Sequence, residues 1–102
     1  MPELPEVETV RQIVEPQVAG KRILSVEIRN PQVIAHPEAE EFADLLLGQM
    51  ISAINRRGKY LSILLCSGDR LFLHLRMTGQ LMVTPVDYPE EKHTHMIMCL
   101  SV

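Results

Sequence analysis

The residues best suited to chemistry open the chain, which begins Met1-Pro2-Glu3-Leu4-Pro5-Glu6. A small second residue such as proline generally permits removal of Met1, and Pro2 then carries a free secondary amine. A generic α-amino group has a pKa of about 7.7–8.0, against about 10.4 for lysine. Near neutral pH its nucleophilic fraction is roughly a few hundred times that of an unperturbed lysine. When a secondary amine condenses with a carbon carrying oxygen, the iminium has no N–H to lose. It stays cationic and draws electrons from the neighbouring carbon, which favours proton abstraction there. Glu3 and Glu6 place carboxylates beside that amine, where they could shuttle protons. The same acids also fit plain helix capping, because negative charge is favoured near a helix start. Spacing alone leaves both readings open.

A second feature is basic. From Arg56 to Arg76 the bases are Arg56, Arg57, Lys59, Arg70 and Arg76, with Asp69 the only acid, although the whole chain carries a net charge of −3. Acids gather instead in Glu3-Glu6-Glu8, Glu38-Glu40-Glu41 and Glu90-Glu91. The overall balance argues mildly against a free-standing nucleic-acid binder, and on charge alone Arg56-Arg57 reads as a solvated hairpin end. Cys66 and Cys99 sit in apolar runs without C-x-x-C spacing, so buried free thiols are expected rather than a disulfide or a zinc site. No apolar run approaches the roughly 18 residues of a membrane span. The opening residues lack a signal segment, and a cytosolic location is expected.

These residues need elements to hold them. At 102 residues the chain is one domain at most, and with 4% aromatics and no Trp its core must be aliphatic. Pro5 suits a first helical turn. Val7, Val10, Ile13 and Val14 follow at helical spacing, with Pro16 as the stop and Gly20 as the turn. Ile23, Leu24, Val26 and Ile28, set against Ser25, Glu27 and Arg29, predict a strand over 22–29. A second helix is expected over 38–47, with Phe42, Leu45 and Leu46 as its apolar face and Gly48 as its C-cap. Further strands are expected over 50–55, 60–66, 70–75, 80–84 and 95–100. Two helices and six strands in successive hairpins predict an α+β, mostly β fold: an antiparallel two-sheet β-sandwich flanked by two helices.

The opening Met1-Pro2-Glu3-Leu4-Pro5-Glu6-Val7-Glu8-Thr9-Val10 resembles the signature start of bacterial formamidopyrimidine-DNA glycosylases. Three further blocks follow in that family's order. Arg56-Arg57-Gly58-Lys59-Tyr60-Leu61 is similar to its catalytic-lysine hairpin, and His74-Leu75-Arg76-Met77-Thr78-Gly79 to its DNA-probing turn. Lys92-His93-Thr94-His95 is similar to a further family block. Leu4 favours this group over the endonuclease VIII branch, which typically has glycine there.

The resemblance implies a base-excision enzyme acting on double-stranded DNA that carries an oxidised purine or an abasic site. Pro2 would attack C1′ and displace the base, and the iminium would drive β- and δ-elimination. Glu3 would act as general acid and base at the sugar, Glu6 would position the lesion, and Lys59 would contact phosphate and support the chemistry. His74 and Arg57 would contact DNA. Met77 would enter the gap left by the flipped nucleotide, where an adaptable apolar wedge offsets part of the roughly few kcal/mol that flipping costs.

The resemblance also implies a larger protein. Residues 1–102 correspond to its catalytic N-terminal domain, with the last strands expected to be truncated. The helix–two-turn–helix motif and the four-cysteine zinc finger would lie elsewhere, so no cofactor or metal is expected in this chain. DNA binding is expected to be weak without that second domain, and no membrane partner is expected. Ser101-Val102 directly follows an apolar strand, which leaves an unpaired edge. A non-catalytic module that self-associates through that edge is the alternative. A proline-first tautomerase fits poorly, because Pro5 and the valine spacing place a helix where that class has a strand.

Overall fold

The computed structural model describes residues 4–76 and 79–102; Pro2, Glu3 and Met77 lie outside the described residues. Helix α1 spans Leu4–Val18 and α2 spans Ala39–Leu46. Strands β1 (Ile23–Ile28) and β5 (Met96–Leu100) form one antiparallel pair. Strands β2 (Ile51–Arg57), β3 (Tyr60–Leu65) and β4 (Arg70–His74) form a three-stranded antiparallel sheet in the order β2-β3-β4. Among the described residues there are thus five strands rather than six, in the expected two-sheet arrangement with two flanking helices.

Helix α1 buries Val7, Val14 and Val18, which share a stripe at spacings of seven and four. Ile13 is one residue, or about 100°, away from Val14, and stays 58% exposed instead of joining the face. Pro16 does not end the helix. So close to the C-terminus it removes one amide, that toward Gln12, and the chain runs on to Val18 before Gly20 turns it out at φ 83. In α2 the buried pair is Phe42 and Leu46, at i and i+4, while Leu45 faces outward.

Two strands carry an extra residue. Ile23 pairs with Leu100 and Ser25 with Cys99, so Leu24 has no partner and its side chain is exposed rather than on the apolar face. Ile51 pairs with Leu65 and Ala53 with Leu64, which leaves Ser52 in the same position on β2. Residues 80–84 carry the apolar run Leu81-Met82-Val83 but join no ladder, and Leu81 alone of them packs against the core. An apolar run supplies side chains to bury; a strand also needs a neighbour to accept its hydrogen bonds.

The core is aliphatic, with Ile54 and Leu61 fully buried and Phe42 its one aromatic. Register places Ile54, Ile63 and Leu71 abreast on the face that meets α1. The opposite face carries Arg57, Tyr60 and His74 abreast at the hairpin end of the sheet. The cysteines depart from expectation. Cys66 lies past the end of β3 where the chain turns, and is exposed; Cys99 is half-buried in β5, and both are free.

Candidate active site

The hairpin between β2 and β3 is closed by two residues, Gly58 and Lys59. Gly58 holds φ 60 at the first of these positions, a conformation that a two-residue hairpin loop demands and that glycine adopts without steric cost. The loop sets Lys59, half-buried, at the end of the sheet beside exposed Arg57. Tyr60 pairs across the ladder with His74, and their ring centroids are 4.7 Å apart at an interplanar angle of 57°. His74 accepts the backbone N–H of Arg76 at Nδ1, 3.2 Å away, so the neutral ring carries its proton on Nε2. Lys59, Arg57 and His74, three of the residues singled out from sequence, are therefore brought to one end of one sheet.

The N-terminal helix is tied to that end by a charged network. Glu8 Oε1 accepts from Arg56 Nε at 2.8 Å, and Glu8 Oε2 accepts from Arg11 Nη2 at 2.7 Å and Gln12 Nε2 at 3.0 Å. Arg56 Nη1 in turn donates to the Gly58 carbonyl at 3.1 Å, inside the hairpin loop. Further along α1, Glu15 Oε2 accepts the backbone N–H of Ile54 at 2.7 Å and Glu15 Oε1 pairs with Arg11 at 3.2 Å. Two acids and one base of α1 thus reach across to Ile54 and Arg56 of β2. The Arg11 and Arg56 guanidinium groups hold the Glu8 carboxyl at about 2, well below its usual value.

This arrangement corrects one reading. Of the pair Arg56-Arg57, Arg56 is not part of a solvated hairpin end; it is half-buried and bonded to α1, and only Arg57 faces solvent. Glu8 is a cross-element link between α1 and β2. The spacing of Glu8, Arg11 and Glu15 at three and four residues was a visible sign of a charged helix face. Glu6 lies in the first turn of α1, exposed, and makes no side-chain hydrogen bond among the described residues. Among the described residues it makes no ion pair or hydrogen bond with Lys59 or His74, and Pro2, Glu3 and Met77 lie outside the described residues.

Among the described residues no three His, Cys, Asp or Glu side chains converge as metal ligands. The four-cysteine zinc site of the resembled family does not fit the residues present: the chain has two cysteines, one on an exposed turn and one in β5.

A basic hairpin with an adjacent imidazole, and a helix tied to that hairpin through Glu8 and Arg56, define a sheet-supported site. The family model described as formamidopyrimidine-DNA glycosylase N-terminal domain matches residues 1–101. Formamidopyrimidine-DNA glycosylase of Carboxydothermus hydrogenoformans is 46% identical over 101 residues, covering 99% of this chain and 38% of the relative. That of Geotalea daltonii is 48% identical, with 99% of this chain and 36% of the relative covered. Among solved structures, the Lactococcus lactis enzyme in complex with a FAPY-dG-containing DNA superposes with a TM-score of 0.92 at 40% identity, covering 97% of this chain and 37% of that one. The same enzyme, non-covalently bound to DNA containing an AP site, gives a TM-score of 0.92 at 40% identity, with 98% and 38% covered.

The chain belongs to the formamidopyrimidine-DNA glycosylase family, and it does so through that family's N-terminal domain. It spans a little over a third of the length of the relatives it matches. No described helix is long and apolar enough to cross a membrane.

Proposed function

We propose that this chain supplies the covalent chemistry of a base-excision DNA repair enzyme, a formamidopyrimidine and 8-oxoguanine glycosylase with abasic-site lyase activity. The observation that carries the reading is the clamp of α1, whose first turn follows Pro2 and Glu3, onto the Lys59 hairpin through Glu8 and Arg56. The solved relatives bound to FAPY-dG DNA and to abasic-site DNA support DNA of that kind as the partner. The bacterial relatives support a cytoplasmic setting.

With Met1 removed, the Pro2 nitrogen attacks C1′ of the damaged nucleotide. The glycosidic bond breaks and its electron pair leaves with the base, which takes up the proton that the Pro2 nitrogen gives up on bonding to C1′. Glu3 protonates the ring oxygen as the sugar opens, and the nitrogen lone pair completes the iminium. Loss of a C2′ proton expels the 3′ phosphate, and a second elimination expels the 5′ phosphate. Glu6 positions the lesion. Lys59, His74 and Arg57 neutralise or donate to phosphate, as basic and imidazole groups do along a DNA backbone. Met77 fills the gap left by the flipped nucleotide.

Borohydride trapping on abasic-site duplex DNA tests this reading. A covalent adduct that is lost in Pro2→Gly and retained in Glu3→Gln supports it; no adduct from the unsubstituted protein overturns it. The alternative is a non-catalytic module that self-associates through a sheet edge; among the described residues β5 has β1 as its single ladder neighbour. Concentration-dependent dimerisation in sedimentation, without DNA affinity, would favour that alternative.

A further inference from the structure

Residues from 30–35 after β1, His74 to Arg76 and Gly79-Gln80 around the end of β4, and His95 just before β5 line a cleft of about 530 Å³. Its polar walls are Asn30, Gln32, His74, Arg76, Gln80 and His95, and no carboxylate is among the described residues lining it. That is notable in a chain whose acids outnumber its bases, 13 to 10.

Hydrogen bonds fix what the two imidazoles can offer. A backbone N–H only donates, so the Asn30 atom that meets Gln32 N at 3.2 Å is the carbonyl Oδ1. The amide Nδ2 therefore faces His95 Nδ1, 3.4 Å away, and donates to it. His95 thus accepts at Nδ1, and its neutral ring carries the proton on Nε2. His74 reaches the same state by another route, through the Arg76 backbone N–H. Arg76 holds φ 58 in doing so, a region that residues other than glycine seldom occupy. Each ring has its acceptor nitrogen occupied and a donor left over. Together with the Arg76 guanidinium and the side-chain amides, the cleft is rich in donors and free of described anions.

We propose that this cleft binds a stretch of DNA phosphodiester backbone, with His95 and Arg76 as contacts beyond His74 and with Asn30 as the residue that sets the His95 tautomer. The proposal rests on the DNA reading above and adds a second anchoring point to it. Donor-only groups match phosphate oxygens, which only accept. His74 belongs both to this cleft and to the sheet end that carries Lys59, so a polymer running from one to the other accounts for both.

The test titrates the protein with a duplex containing a reduced abasic-site analogue and, separately, with inorganic phosphate. It follows histidine side-chain nitrogen resonances and fluorescence anisotropy. The duplex is expected to move the Nε2 signals of His74 and His95. His95→Ala should weaken duplex binding about tenfold with an unchanged salt slope, because a neutral donor displaces no counterion. Arg76→Ala should weaken binding and lower the salt slope by about one. Asn30→Asp keeps the oxygen that caps Gln32 N and sets a carboxylate against the His95 ring, and should weaken binding at least as much as His95→Ala. Native circular dichroism in the variants excludes misfolding. Unchanged duplex affinity in His95→Ala and Asn30→Asp, with the borohydride adduct intact, overturns the proposal alone. Inorganic phosphate moving both rings as strongly as the duplex also overturns it, in favour of a free-anion site. Loss of the adduct from the unsubstituted protein overturns the DNA reading itself.

Discussion

Glu8 and Arg56 stand 48 residues apart in sequence and meet at 2.8 Å, joining the helix that follows Pro2 to the hairpin that carries Lys59. Each is about 28% exposed at its side chain, so the pair is only partly screened by water. A displacement of about 1 Å in a reacting group can cost about a hundredfold in rate. Glu8→Gln and Arg56→Met should therefore slow borohydride trapping on abasic DNA by about ten- to a hundredfold while leaving duplex affinity within about twofold. Equal losses in affinity and trapping would assign the pair to DNA binding instead of positioning.

The same pair makes stability depend on acid. The Arg11 and Arg56 guanidinium groups lower the Glu8 carboxyl from 4.5 to about 2 in the folded state. In the unfolded chain that carboxyl returns to its ordinary range. The stabilisation is thus fully present above about 4.5 and is lost as pH falls toward about 2. Denaturant midpoints should show the wild type losing its advantage over Glu8→Gln across that interval. A gap that persists unchanged to the acid end would contradict the assignment.

Core positions should separate sharply from their exposed neighbours. Ile54 and Leu61 are fully buried between α1 and the sheet, and truncating either to alanine should cost about 2–5 kcal/mol in urea unfolding. Ile13, off the buried stripe, should tolerate alanine within about 0.5 kcal/mol.

Ser62 is 5% exposed in the central strand of its sheet, and its hydroxyl has no hydrogen-bond partner among the described residues. Register sets it between Asn55 and Phe72. Leaving such a group unpaired costs about 1–3 kcal/mol, so Ser62→Ala should raise the unfolding free energy by about 1 kcal/mol. A loss of stability would show that the hydroxyl is bonded in solution.

Gly79 donates its N–H to the Leu75 carbonyl at 2.8 Å, and a Cβ added there would collide with that oxygen. Gly79→Ala should disturb the turn after β4 without unfolding the sheet. Amide resonances of Leu75 and Arg76 should shift while those of β2 stay in place.

Much of this fold is legible in the amino-acid order itself. Regular elements announce themselves through period: Val7, Val14 and Val18 in α1, and Leu61, Ile63 and Leu65 in β3. Irregularity does not. Leu24 follows apolar Ile23 yet is the unpaired residue of a bulge, and residues 80–84 are apolar enough for a strand but lack a ladder neighbour. The Lys59 hairpin is readable from Gly58, whereas the burial of Arg56 depends on a helix folded against it from another part of the chain. The roles of Pro2, Glu3 and Met77 come from family resemblance joined to amine chemistry. Spacing alone leaves Pro2 and Glu3 between catalysis and capping, and Met77 as ordinary core.

The central claim is a covalent bond from the Pro2 nitrogen to deoxyribose, and peptide mass mapping of the borohydride-trapped complex tests it most directly. The account predicts a reduced sugar remnant on the N-terminal peptide, with Met1 absent and Pro2 as the modified residue. A remnant on Lys59, or a trapped peptide that still carries Met1, would contradict it.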